Sequence, residues 1–227
     1  MNSSKNQTFL AIVKIIVALL LGLCVLLLSS MLTSLSGVSL LMHTGMFFFS
    51  FLLILVLSRG RISSYGFKLT ENLRLRETIL VGFIAGFIIT GIALLLPVKA
   101  PPGVENFSFL QIVIFIWISA SIGEEVLTRG LIFGYLTPLK PYGFLISKWR
   151  ISLPVLVAAL FFGAMHLGLI TAGLDIFSVS VIAISGFLLG IIAGFYREKT
   201  ESIIPAIIIH MLFNISGSVT GLIKNQI

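Results

Sequence analysis

The sequence predicts an all-α, polytopic membrane protein with about seven transmembrane helices, or eight if the segment after Leu136 hides another. Two observations carry this prediction. Of the 227 residues, 58% are hydrophobic and 10% are charged, whereas about 25% are charged in a typical soluble domain. The mean hydropathy is +1.15, and the apolar residues lie in long runs. Such runs can span a membrane, because about 20 helical residues cross a bilayer core of about 30 Å. At this length we expect one integral-membrane domain over 1–227.

The first three apolar runs, 9–28, 40–57 and 78–96, are each about long enough to span the membrane. A strongly basic loop, 58–77, separates the second run from the third. The turn at 97–103 ends the third run because it contains three prolines and a glycine, which do not continue a helix.

The fourth apolar run, 109–136, exceeds the bilayer thickness if it is helical throughout, so we expect it to tilt or protrude. A loop at 137–150, with room for a short interfacial helix, should follow it, and a compact charged hairpin is expected at 196–202. The remaining spans are predicted at 154–170, 176–195 and 203–219.

Two pairs of glycines are spaced for close helix packing. Gly82 and Gly86 lie four residues apart on the third span, and Gly186 and Gly190 lie four apart on the sixth. Small residues at this spacing let two helix backbones approach each other inside a membrane.

The basic residues indicate the orientation of the chain. With seven spans, the amino-terminal side carries eleven Lys and Arg residues and the opposite side two. This bias predicts a cytoplasmic amino terminus. The net charge of +7 therefore reflects membrane topology, and nucleic acid is not an expected partner.

A few polar residues lie deep within the apolar runs, where an unpaired charge costs about 2.5–3.5 kcal/mol on insertion scales. Glu125 and Arg129 are four residues apart on the fourth span and are expected to pair. Glu124 points about 100° away from Glu125. The complete set is Glu124, Glu125, Arg129, His166, His210 and Asn214.

The depths of these groups overlap within the error of the predicted helix boundaries. At 1.5 Å per residue, His210 lies about 10 Å below the cytoplasmic face, Glu124 about 7–10 Å and His166 about 13–18 Å. We therefore expect the fourth, fifth and seventh spans to aim these groups at one cavity that opens toward the cytoplasm. The motif-bearing catalytic core should cover about 107–220.

Three motifs in this set resemble a known family. Glu124-Glu125-Val126-Leu127-Thr128-Arg129, Phe162-Gly163-Ala164-Met165-His166 and His210-Met211-Leu212-Phe213-Asn214 are similar to the Glu-Glu-x-x-x-Arg, Phe-x-x-x-His and His-x-x-x-Asn motifs of the CPBP intramembrane proteases. That family includes the Rce1-type CAAX prenyl endopeptidases and the Abi proteins. Thr128 departs from the pattern, because many members have an aromatic residue there.

The resemblance implies an intramembrane endopeptidase that acts on a membrane-bound or prenylated peptide, with membrane lipid as its surroundings. Glu124 and His166 would activate a water, His210 and Asn214 would donate hydrogen bonds to the oxyanion, and Glu125 with Arg129 would orient them. No cofactor is expected. The alternative is a zinc ion on Glu124, His166 and His210, which carry suitable ligand atoms.

Two other functions fit the same residues. The first is a catalytically silent immunity or scaffold membrane protein, and the second is a proton- or cation-coupled transporter that uses the buried acid and histidines as a relay. Outside the motifs, His43 is expected to be structural and without polar neighbours. Asp175 is expected to be an interfacial or capping residue.

Overall fold

A computed structural model of the protein describes residues 2–36, 38, 40–70, 74–146 and 149–224. The chain is 81% helical. Within these ranges, seven helices are long and apolar enough to cross a membrane. The predicted all-α polytopic bundle is confirmed, with seven spans in the part of the chain that the structure describes.

The helices follow the predicted order but are mostly longer. Short 3₁₀ turns at Ile62–Tyr65 and Val104–Asn106 lie in the connections that precede and follow the third helix. A 3₁₀ segment, His166–Ile170, continues the fifth helix. The helices are α1 (Asn2–Ser36), α2 (Leu40–Ser58), α3 (Leu75–Leu94), α4 (Phe109–Leu139), α5 (Leu153–Met165), α6 (Ile176–Thr200) and α7 (Ile204–Lys224).

Two predicted connections were wrong. The 137–150 segment begins with a 3₁₀ turn, Thr137–Leu139, at the end of α4. In place of a loop, β1 (Gly143–Ile146) then pairs with antiparallel β2 (Trp149–Ser152), which leads into α5; residues 147 and 148 lie outside the described part. The charged segment at 196–202 is not a hairpin, because α6 continues through Thr200. Its basic residues Arg197 and Lys199 lie in the last turn of α6, where cations interact favourably with the helix dipole.

The core of the bundle surrounds α4. Every residue from Gly123 to Gly134 is buried, including the charged ones. Helix α4 is wound unevenly, because wide π-type turns at Ile112–Ala120 and Val126–Ile132 flank a short α-helical segment, Ser121–Glu125. Such widened turns occur frequently at functional sites. The acidic pair therefore lies at an irregular point in the centre of the bundle.

The predicted glycine pairs pack as expected. An added Cβ at Gly82 would lie 3.2 Å from the Ile209 backbone on α7, and one at Gly86 would lie 3.0 Å from the Phe213 backbone. On α6, an added Cβ at Gly190 would lie 2.9 Å from the Ala159 backbone of α5. These glycines bring α3 to α7 and α6 to α5, which fixes the positions of the two motif helices α5 and α7.

Asp175 caps α6, as predicted. Its carboxylate accepts hydrogen bonds from the backbone N–H of Ser178 at 3.0 Å and from the Ser178 hydroxyl at 2.9 Å. These bonds hold the pKa of the Asp175 carboxyl below its usual range.

Candidate active site

Glu124 lies at a close approach between α2 and α4. Gly123, immediately before it, has no side chain, and an added Cβ would lie 2.4 Å from the carbonyl oxygen of His43 on α2. Only 8% of the Glu124 surface is exposed. The carboxylate therefore points into the bundle and not toward the lipid.

Two imidazoles flank this carboxylate. His210 Nε2 lies 3.7 Å from Glu124 Oε2, and His43 Nε2 lies 3.4 Å from Glu124 Oε1. Of the described histidines, these two come within 4.0 Å of the Glu124 carboxylate. The prediction that His43 lacks polar neighbours was wrong. It rested on the sequence around His43, whereas the contact depends on the packing of α2 against α4.

Glu125 points to the other side and forms a fully buried ion pair. Its Oε1 accepts hydrogen bonds from Arg129 Nη1 at 2.8 Å and from His210 Nδ1 at 3.0 Å. The predicted pairing of Glu125 with Arg129 is thus present. Because an ionised carboxylate only accepts, His210 carries a proton on Nδ1 and presents Nε2 to Glu124.

Phe162 is the packing centre of the site. Its ring meets the His166 and His210 rings edge-to-face, at centroid distances of 5.3 and 5.4 Å, and the Arg129 guanidinium lies over it at 4.7 Å. This fully buried ring therefore sets the relative positions of three polar groups from three different helices. It gives a physical role to the phenylalanine of the second motif.

His166 lies farther from the acid than the other two histidines, beyond 4.0 Å from the Glu124 carboxylate. Its Nδ1 is 2.8 Å from the carbonyl oxygen of Phe162, which can only accept, so Nδ1 carries the proton and Nε2 is an acceptor. Gly186 makes room for the ring, because an added Cβ there would lie 3.2 Å from it.

Asn214 is bonded to α4. Its amide nitrogen donates to the carbonyl oxygen of Ile116 at 3.0 Å and to the hydroxyl of Ser121 at 3.1 Å. Both bonds lie one to two turns before the acidic pair. In this structure the amide therefore ties α7 to the wide turn of α4, and both of its N–H groups are engaged.

Thr128 has a role that the motif comparison did not indicate. Its hydroxyl donates to the carbonyl oxygen of Glu124 at 2.6 Å and accepts from Arg129 Nη1 at 2.6 Å. The Thr128 side chain thus connects the backbone of Glu124 to the Arg129 guanidinium, which pairs with Glu125. The sequence signal was the four-residue spacing from Glu124, which is typical of a threonine bonding back along its own helix.

An apolar cavity of about 410 Å³ is lined by sequence neighbours of these residues. They are Phe47, four residues after His43, Val126, directly after the acidic pair, and Ile207, three residues before His210. Lys68 also lines it. This volume falls in the range of small-ligand sites, about 300–1,000 Å³.

The alternative zinc set does not form a cluster with metal-site spacing. Among the described residues, no group of three or more His, Cys, Asp or Glu side chains could hold a metal ion. Glu124, His166 and His210 thus do not converge on one point closely enough, so we derive no step through zinc. The expectation of no cofactor stays a prediction.

A comparison with known protein families finds a match over the second half of the chain. Residues 106–216 match the family described as type II CAAX prenyl endopeptidase Rce1-like. No curated protein and no solved structure matches the chain significantly. The matched region contains Glu124, Glu125, Arg129, His166, His210 and Asn214.

Proposed function

We propose that this chain, whose residues 106–216 match the Rce1-like family of CAAX prenyl endopeptidases, cleaves a membrane-associated peptide with a water that Glu124 activates. The observation that carries the proposal is the Glu124 carboxylate, 8% exposed, beside two imidazoles, with an apolar cavity lined by their sequence neighbours. A buried carboxylate with such neighbours is expensive in a membrane helix and usually serves function.

The first step is attack by water on the scissile carbonyl. Glu124 takes one proton of the water, and His166 Nε2, an acceptor in this structure, orients the water from the other side. The water oxygen forms a bond to the carbonyl carbon, whose oxygen becomes an oxyanion. Glu124 then delivers its proton to the leaving amine as the carbon–nitrogen bond breaks.

The oxyanion needs hydrogen-bond donors. His210 supplies one from Nε2 when its ring is protonated, and the bond from its Nδ1 to Glu125 fixes the direction of the ring. Arg129 holds Glu125 in turn. Asn214 supplies a second donor if one of its two hydrogen bonds to α4 is replaced by a bond to the substrate. The bond to Ser121 is the easier one to replace, because the Ser121 hydroxyl can rotate.

The family match and the cavity support the proposed substrate class. Members of the Rce1-like family act on prenylated membrane proteins. We propose that the apolar cavity receives a prenyl group or an apolar side chain, because Phe47, Val126 and Ile207 offer it hydrocarbon contacts. We also propose that the amino terminus is cytoplasmic and that substrates enter from that side, on the charge bias of the loops.

The test is cleavage of a fluorescent, farnesylated peptide that ends in a CAAX sequence, with purified protein in liposomes. We expect Glu124→Gln to lower kcat about 10²–10⁴-fold, the usual contribution of a general base. Glu105→Gln makes the same change at an exposed residue of the turn before α4 and should leave kcat unchanged.

Equal rates for wild type and Glu124→Gln would refute the proposed role of Glu124. If the wild-type protein leaves the farnesylated peptide intact, its substrate is a different peptide. Mass spectrometry then compares the peptides released from native membranes that contain wild type with those released from membranes that contain Glu124→Gln. Identical peptide sets would refute the endopeptidase proposal itself. A transporter would instead show solute flux without new peptides.

A further inference from the structure

We infer that His43 of α2 is a positioning residue for Glu124, an inference that rests on the proposed function. His43 lies outside the segment that matches the Rce1-like family, which begins at residue 106. It therefore adds a group from the amino-terminal helices to the candidate site on α4, α5 and α7.

The two oxygens of Glu124 have different neighbours. Oε1 lies 3.4 Å from His43 Nε2, whereas Oε2 lies 3.7 Å from His210 Nε2. Either ring would have to move a few tenths of an ångström closer to reach hydrogen-bond distance, about 2.7–3.2 Å. With an Nε2–H donor on Oε1, the carboxylate plane is fixed and Oε2 is the oxygen that accepts the proton from water.

The backbone is built for this contact. An added Cβ at Gly123 would lie 2.4 Å from the carbonyl oxygen of His43, so only glycine lets α2 approach α4 here. On the other side of α2, an added Cβ at Gly45 would lie 3.2 Å from the Ser29 backbone of α1. Helix α2 is therefore packed closely against α1 at Gly45 and against α4 at Gly123, which leaves His43 little room to move away from Glu124.

The contact with Glu124 also explains why a histidine, and not an aliphatic residue, occupies position 43. His43 Nδ1 is buried, and no group in the described part of the chain forms a hydrogen bond with it. An unsatisfied buried polar atom costs about 1–3 kcal/mol, so an aliphatic residue would pack here at lower cost. The imidazole is explained by what its Nε2 does for Glu124.

The consequence for catalysis is orientation. The terminal torsion of a glutamate is broad and roughly two-fold, so a carboxylate held on one side alone samples several directions. A misplacement of about 1 Å in a reacting group costs about 10²-fold in rate. Loss of the His43 contact should therefore lower kcat without weakening substrate binding.

The experiment measures kcat and KM of wild type, His43→Leu and His43→Gln on the farnesylated peptide. We expect His43→Leu to lower kcat about 10- to 100-fold with KM unchanged. His43→Gln keeps an N–H donor near the position of Nε2 and should recover most of the activity. Thr44→Leu, an exposed change one residue away, is the matched control and should behave as wild type.

A second variant tests the backbone argument. Gly123→Ala should push α2 away and lower kcat as His43→Leu does, and the double variant should be no slower than either single variant, since both remove the same contact. Wild-type kcat in His43→Leu, or equal losses in His43→Leu and His43→Gln, would overturn the inference.

The inference and the proposed function fail in different ways. If wild type cleaves, Glu124→Gln does not, and His43→Leu matches wild type, then only the role of His43 is refuted. If Glu124→Gln cleaves as fast as wild type, the role of Glu124 is refuted and that of His43 with it.

Discussion

The buried ion pair on α4 allows a quantitative prediction. Arg129 and Glu125 are both fully buried, and Nη1 lies 2.8 Å from Oε1. Arg129 Nε and Nη2 and Glu125 Oε2 lack hydrogen-bond partners among the described residues. Removing either residue leaves a buried charge with few compensating bonds, so Arg129→Met and Glu125→Leu should each lower the free energy of unfolding by about 3–5 kcal/mol.

The double variant Glu125→Leu/Arg129→Met leaves no such charge. Replacing a buried ion pair with apolar side chains of similar volume is often neutral or stabilising. The double variant should therefore be more stable than either single variant. Its cleavage activity should stay low, because His210 Nδ1 has lost the carboxylate that orients the ring.

The assay is unfolding of purified protein in mixed micelles with increasing denaturing detergent. Glu201→Gln is the matched control, because Glu201 pairs with Lys68 at a shorter distance, 2.6 Å, but both side chains are well exposed. It should cost at most about 1 kcal/mol, since solvent screens exposed pairs. The reasoning would be refuted if Arg129→Met and Glu125→Leu were as stable as this control. It would also be refuted if the double variant lost as much free energy of unfolding as the two single variants together.

Three further predictions concern packing, hydrogen bonding and pH. Gly190→Ala should lower stability by about 1–3 kcal/mol, because the new Cβ would lie 2.9 Å from the α5 backbone and the helices must separate; thermal unfolding measures it. Thr128→Val should lower stability by about 1–3 kcal/mol in the same assay, because it keeps the shape of the side chain but removes an acceptor from the fully buried Arg129. The hydrogen bond from Lys68 lowers the pKa of Glu201, so the small contribution of this pair is present near neutral pH and is lost as pH falls through the lowered pKa; unfolding of wild type and Glu201→Gln from about pH 7 to about pH 3 measures it.

Each of these predictions has a control and a contradicting outcome. Gly91→Ala should not destabilise, because an added Cβ there meets nothing within 4 Å; equal losses at Gly190 and Gly91 would contradict the packing argument. Thr44→Val removes a hydroxyl bond on an exposed helix face and should be nearly neutral, so a loss as large as that of Thr128→Val would contradict the second prediction. A stability difference at Glu201 that grows as pH falls would contradict the third.

Much of the fold was predictable because membrane spans are encoded locally. Each span needs about 20 apolar residues, and the seven runs satisfy this without reference to their neighbours. The glycine pairs likewise predicted which helix faces pack closely. The errors lie at the connections. The paired strands β1 and β2 replace an expected loop. Their signal is short and ambiguous, because only Trp149–Ser152 alternates apolar and polar residues, whereas Gly143–Ile146 does not.

The site was predictable in part for the same reason. Four-residue spacing gave the Glu125–Arg129 pair, since both residues lie on one helix. That Glu125 also binds His210 depends on how α4 packs against α7, which no local pattern reveals. The contact of His43 with Glu124 is the strongest case, because the two residues are far apart in sequence and only the close approach at Gly123 brings them together.

Cleavage in water enriched in ¹⁸O tests the central claim most directly. If Glu124 activates a water that attacks the scissile carbonyl, mass spectrometry of a single turnover should find one ¹⁸O in each newly formed carboxylate. The labelled product should be absent with Glu124→Gln and normal with Glu105→Gln. Labelled product at the wild-type rate from Glu124→Gln, or a covalent acyl–enzyme intermediate trapped during that turnover, would contradict it.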